Sequence, residues 1–175
     1  MILDLLRKRR SIRKFEDKGI EREKVDQLLE IALRSPSSMS RNPWHFIVVE
    51  DREKIEDLSK VKAHGAAFMK GAPLAIVVAA DPEKCDVWVE DCSIATILLH
   101  VGAFDLGLGS CWVQIRERQD NEGRSAEQNV ADIVGLPEGF RTLAIMAIGY
   151  GAEEKPGHPG ESLPKGHIHL ERFNR

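Results

Sequence analysis

Cysteine is scarce in this 175-residue chain, and the little there is forms no pattern. Cys85, Cys92 and Cys111 are an odd set without C-x-x-C spacing, which argues against a disulfide framework or a structural zinc site and favours a reducing compartment. A strong net charge is missing too. The formal value is -3, so no global basic field draws the chain to nucleic acid or to an anionic membrane, and local clusters must carry any anion binding. Internal repeats and long low-complexity tracts are absent. The first apolar stretch, Ile2 to Leu6, contains Asp4 and no small-residue cleavage site, so a secretory leader is not expected and a cytoplasmic protein is. Hydrophobic residues are plentiful: at 42% they suffice for the core of a single domain spanning residues 1–175.

Ile2, Leu3, Leu5 and Leu6, followed by Arg7 to Arg10, predict a short amphipathic helix that delivers a basic cluster on the loop beyond it. From Glu21 to Arg34 the apolar residues recur at three-and-four spacing until Pro36, which predicts a helix. Ser35 to Pro43 reads as a loop feeding a β-branched strand, Trp44 to Val49, and Asp51 can cap a helix reaching about Ser59. The unbroken apolar run Leu74 to Ala80 is expected to be a central strand buried on both faces. Between Asp86 and Leu106 apolar residues fall on nearly every side of a helix. Asp91, Ser93, His100 and Asp105 interrupt it too often for a membrane span, so enclosure in a core or against a second subunit is expected. Gly107 and Gly109 end that helix, Ser110 to Ile115 reads as a strand, Ser125 to Val134 as a short helix, and Leu143 to Tyr150 as another apolar strand. Residues 151–175 hold Pro156, Pro159, Pro164 and four glycines with few apolar anchors, so this tail is expected to lie over another surface. Alternating helices and apolar strands, taken alone, suggest a doubly wound parallel sheet.

Arg9, Arg10, Ser11, Arg13 and Lys14 put guanidiniums and a hydroxyl on one short segment, a chemical match for a phosphate, although by composition a basic run is a solvated face. A nucleic-acid binder using Arg7 to Lys14 is the remote alternative, and it would lose affinity steeply with salt. His167 and His169 alternate as two metal ligands would, but no Asp, Glu or Cys at ligand spacing completes a set, and no metal is expected. Cys111 has apolar neighbours and no sequence-adjacent histidine, so it reads as core. Trp44 and Trp112 read as core aromatics, and Arg116 and Arg118 as surface, with contact to an anionic substrate or NAD(P)H the open alternative. Gly107-Leu108-Gly109 follows a helix and precedes a strand, the reverse of the order that a dinucleotide-binding glycine signature requires.

Three ordered motifs change the weight of the basic cluster. Arg-Arg-Ser-Ile-Arg at 9–13, Ser35-Pro36-Ser37-Ser38-Met39-Ser40-Arg41-Asn42-Pro43-Trp44 after the first long helix, and Gly107-Leu108-Gly109-Ser110-Cys111-Trp112 after the buried one together resemble the nitroreductase family. The likeness continues through Gly149-Tyr150 and Leu163-Pro164-Lys165. It implies that Arg9, Arg10, Ser11 and Arg13 hold the phosphate and ribityl chain of FMN, with Lys165 and His167 closing on the phosphate. His167 departs from the arginine common at that position, which would make its contact weaker and pH-dependent. Pro36, Ser37, Ser38 and Ser40 would reach the flavin of a partner subunit, and Trp112, Val113 and Gln114 would line the ring. His64, Gly65 and Lys70 lie near the position before the strand at Leu74 where the family touches the flavin pyrimidine, and none aligns with it. Between Pro82 and Trp88 there is little room for the helices that cover the substrate pocket in longer members.

The resemblance overrides the parallel-sheet reading. It implies an α+β sandwich with a mixed, largely antiparallel sheet flanked by helices, a homodimer with FMN at the subunit interface, and a domain-swapped tail, 151–175, packing on the partner. The implied activity is ping-pong hydride transfer from NADH or NADPH to flavin and on to a nitroaromatic, quinone or similar small acceptor. No side-chain acid or base is required, so no catalytic residue is named. Reductive dehalogenation, flavin breakdown or flavin binding without turnover are the alternatives on the same fold. Three charged hydrogen bonds at about 1.5 to 3 kcal/mol each would supply roughly 5 to 9 kcal/mol, against the roughly 8 of a micromolar complex before ordering costs. Ring stacking must make up the difference.

Overall fold

A computed structural model describes residues 1–173. The chain runs α1 (Ile2–Lys8), α2 (Arg22–Leu33), β1 (Trp44–Val49), α3 (Arg52–Leu58), β2 (Leu74–Ala80), α4 (Trp88–Asp105), β3 (Gly109–Gln114), α5 (Ala126–Val134) and β4 (Arg141–Gly149), then a tail with two short 3-10 turns. The strands form one sheet in the order β1-β2-β4-β3, with every neighbouring pair antiparallel. The doubly wound parallel reading therefore fails. Alternation of helix and strand reports burial and period, and it says nothing about strand direction. Among the described residues the parallel contribution comes from one bridge, Ser11 to Ser110, where the N-terminal segment lies beside β3.

The all-apolar strands result from cover on both faces. Leu74, Ile76, Val78 and Ala80 point into a cluster with Val25 and Leu28 of α2 and Cys92, Ala95 and Leu99 of α4. Ala75 and Val77 point the other way, toward Ile55 and Leu58 of α3 and Ala126 and Val130 of α5. Side chains alternate across a strand, so a strand sandwiched in this way must be apolar at every position. Within one chain α4 leaves Ile94 and Ile97 37% and 44% exposed, and Ile2, Leu3 and Leu6 of α1 are also exposed. Among the described residues no helix is long and apolar enough to cross a membrane.

Local signals account for several ends. The Asp51 side chain accepts the Lys54 N–H and starts α3, and Gly135, at φ 69°, closes α5 in the left-handed conformation that glycine tolerates best. Gly109 has a different role. A Cβ there would stand 2.9 Å from the Cβ of Ile12, so the missing side chain lets residues 9–16 press against the sheet edge. Gly109→Ala is predicted to push that segment off β3 and to destabilise the protein by about 1 to 3 kcal/mol, as overpacking does, measured as a lowered urea midpoint.

Candidate functional site

The candidate site grows from residues 9–16, an extended segment held on both sides. Arg9 leaves α1 with extended backbone, and the Ile12 N–H donates to the Ser110 carbonyl at 3.0 Å. On the other side the start of the tail runs antiparallel to it: Glu16 N–H donates to Tyr150 O and Ala152 N–H to Lys14 O, both at 2.9 Å. The N-terminal segment is thus a strand-like insert between β3 and the tail.

Extended backbone turns the basic residues to different sides. Arg10 and Ile12 line a cavity of about 960 Å³ with Phe104, the Gly107–Gly109 turn and Lys155. There an Arg10 N–H donates to the Pro156 carbonyl at 2.5 Å. Arg13 carries its guanidinium 5.8 Å from the ring centre of Phe68. The Cys111 thiol lies 3.6 Å from the Trp112 carbonyl, and burial pushes it up despite Arg13 and Lys155 nearby, so it stays a thiol. Arg9 turns inward: its guanidinium lies 2.5 Å from His100 Nε2, while His100 Nδ1 lies 2.5 Å from Ser110 Oγ. A guanidinium only donates, so Nε2 must carry the lone pair and Nδ1 the proton, which it gives to the serine oxygen. Burial, and then the Arg9 charge, push the His100 pKa down to about 4.

Lys155 completes the cationic side. Its ammonium donates to Ser11 O at 3.3 Å and to Glu153 Oε1 at 2.8 Å, and the same carboxylate oxygen accepts the Arg13 N–H at 2.6 Å. These donors, Lys155 foremost, hold the Glu153 pKa down at about 2. Lys62, half-buried in the stretch before β2, is held below the ordinary lysine range by burial and the Arg118 charge.

The serine loop is anchored from α4. Asp91, 3% exposed, accepts the Ser38 N–H at 2.9 Å on one oxygen and the Cys85 thiol at 3.3 Å on the other. Ser37 Oγ donates to Asn42 Oδ1 at 2.8 Å. Met39, Ser40 and Asn42 all have φ between 46° and 55°, a run of left-handed non-glycine residues that such cross-ties hold in place. Pro36 and Ser40 are exposed. On β3, Trp112 Nε1 donates to Gln114 Oε1 and Gln114 Nε2 to Arg116 O, both at 2.9 Å, while the Val113 side chain is buried in the core.

The structure thus brings Arg9, Arg10, Ser11 and Arg13 to one segment beside β3, where Trp112 and Gln114 sit. Lys165 and His167 lie in an exposed 3-10 turn, and among the described residues no hydrogen bond or ion pair joins them to that segment. Sequence reasoning missed His100, Ser110, Glu153 and Lys155. Glu153 and Lys155 had a usable signal, because they follow the last core strand closely enough for an antiparallel return to set them opposite Arg13 and Ser11. Among the described residues no group of three or more His, Cys, Asp or Glu side chains could hold a metal ion.

The profile of the nitroreductase family matches residues 6–66 and 59–150. A Methanothermobacter thermautotrophicus protein, named provisionally as an NADH dehydrogenase/NAD(P)H nitroreductase, is 34% identical over 98% of this chain and 87% of its own. The solved structure of an FMN-dependent nitroreductase from Clostridium difficile R20291 superimposes with a TM-score of 0.96 at 42% identity, covering 98% of this chain and 99% of that one. A shorter stretch, 51 residues or 29% of this chain, is 37% identical to an iodotyrosine deiodinase from Thermotoga neapolitana, 27% of which it spans.

Two outcomes follow from the geometry. His100 has a folded pKa of about 4 against an ordinary 6.5, so its neutral burial is fully favourable above about pH 6.5 and is progressively lost as pH falls toward 4. His100→Gln should flatten the acid loss of stability in that window, leaving the loss between about pH 4.5 and 2 that Glu153 contributes, as read from urea midpoints against pH. Asp91→Ala should free the serine loop, seen as faster amide exchange at Ser38 than in the parent protein.

Proposed function

The chain belongs to the nitroreductase family, and from that premise we propose that it is an FMN-dependent, NAD(P)H-oxidising oxidoreductase that works as a homodimer. The observation that carries the reading is the donor set beside β3. One extended segment carries three guanidiniums and the Ser11 hydroxyl, with the Lys155 ammonium at its Ser11 carbonyl, and the carboxylate beside them, Glu153, is already satisfied by Lys155 and the Arg13 backbone N–H. The surplus is positive and forked, which fits a phosphate dianion. Arg9, Ser11, Arg13 and Lys155 would hold the phosphate, and Arg10 would contribute from the cavity side. The Lys165 and His167 contacts remain part of the proposal, through closure of the tail.

FMN held there would supply the hydride-transfer chemistry of a ping-pong reaction between NADH or NADPH and a nitroaromatic, quinone or similar acceptor. The protein's part is to bind, orient and shield. Trp112 and Gln114, locked to each other by a hydrogen bond, would flank the ring with the Val113 backbone. Pro36, Ser37, Ser38 and Ser40 would approach the flavin of the second subunit, on a loop that Asp91 ties to α4. Exposed Ile94 and Ile97, with Ile2, Leu3, Leu6 and Leu33, supply an apolar surface for that subunit. The chain is read as a single domain whose tail, beyond the part paired with residues 13–16, packs on the partner. Three buried free thiols fit the reducing cytoplasm.

The local likeness to a deiodinase favours one second reading, reductive dehalogenation on the same flavin. Acceptor-dependent NAD(P)H consumption, assayed with a nitroaromatic, a quinone and a halophenol, separates the two. Replacing Arg9 and Arg13 together by alanine should lower FMN affinity by about 100-fold or more, two charged hydrogen bonds being lost, while sedimentation still reports a dimer. Unchanged flavin content in that variant would show that the phosphate is held elsewhere.

A further inference from the structure

His100 sits in the middle of α4, only 5% exposed, and uses both ring nitrogens on residues from two other parts of the chain: Arg9, ninety-one positions away, and Ser110 on β3. We propose that His100 is a positioning residue for Arg9. Its lone pair on Nε2 holds the guanidinium at a fixed angle, and Ser110 fixes the ring by accepting from Nδ1, so that the remaining guanidinium N–H groups are presented to the FMN phosphate. This rests on the reading above that Arg9 grips that phosphate.

A neutral acceptor is the point of the arrangement. A carboxylate in place of His100 would orient Arg9 equally well and cancel its charge, leaving less for an anion. Among the described residues Arg9 forms no ion pair, so the imidazole restrains the cation without neutralising it. Arg9 from the N-terminal segment is the charge that faces the ring, Ser110 is the polar group that faces it from β3, and burial with that charge keeps the imidazole unprotonated at neutral pH. Arginine has five N–H donors in a planar fork, and using one on His100 leaves the others for a bidentate contact.

The test compares FMN with riboflavin, which differs only by the phosphate, in fluorescence-quenching titrations of flavin-free protein at pH 7.5. The wild type should prefer FMN by about tenfold or more. His100→Phe keeps an aromatic ring and removes the acceptor; it should weaken FMN by about tenfold, leave riboflavin within about twofold, and so lose most of the preference. His100→Gln supplies an amide oxygen to Arg9 and an N–H to Ser110, and should restore it. A wild type with no preference overturns the phosphate reading, and this proposal with it. A preserved preference in folded His100→Phe, or equal loss of both flavins, overturns the positioning role alone. If His100→Phe does not fold, Ser110→Ala, which releases the ring, must show a selective loss of FMN affinity; an unchanged preference there also overturns the role.

Discussion

The site depends on one constraint: residues 9–16 have no fold of their own and are held in extended form between β3 and the first residues of the tail. The Ile12 to Ser110 hydrogen bond sets the inner edge, and the Lys14 to Ala152 and Glu16 to Tyr150 pairs set the outer one. A peptide so placed alternates its side chains, which separates Arg10 and Ile12 from Arg9, Ser11 and Arg13. It also demands close approach, so β3 begins at Gly109, under Ile12. A glycine that looked like part of a nucleotide-binding signature is instead a seat for the basic segment.

Electrostatics follow from the same clamp. Four cations gathered beside one sheet edge repel one another unless each has a partner that does not erase its charge. Glu153 offsets one of these charges by pairing with Lys155, and it also accepts the Arg13 backbone N–H, which fixes that pair to the segment; the same donors hold its carboxyl pKa down. His100 answers another part with a lone pair in place of a charge. On the proposed reading, the phosphate would meet a surface that is ordered before it arrives, which lowers the entropy lost on binding.

Much of the fold was legible because it follows from periodicity and punctuation. The runs Trp44 to Val49 and Leu74 to Ala80 are strands with those bounds, and the three-and-four spacing before Pro36 is α2 within a residue or two at each end. Strand direction was not legible in the pattern and came from the family resemblance, since a both-face-buried strand is apolar whichever way its neighbours run. The basic segment could be named as a phosphate candidate from residue type alone. What could not be read was its support: the His100 to Arg9 contact joins positions ninety-one apart, and a histidine on an apolar helix carries no mark of its partner. Lys155 was overlooked because the tail was read as a loose strap, when its first residues pair with the N-terminal segment and bring that lysine to Ser11.

The most direct measurement is the visible spectrum of the purified protein, before and after anaerobic addition of NADH or NADPH. The account predicts a yellow protein, or one that turns yellow with stoichiometric FMN, whose flavin absorption bleaches with the nicotinamide and returns when an acceptor is added. A colourless protein that refuses FMN would contradict it.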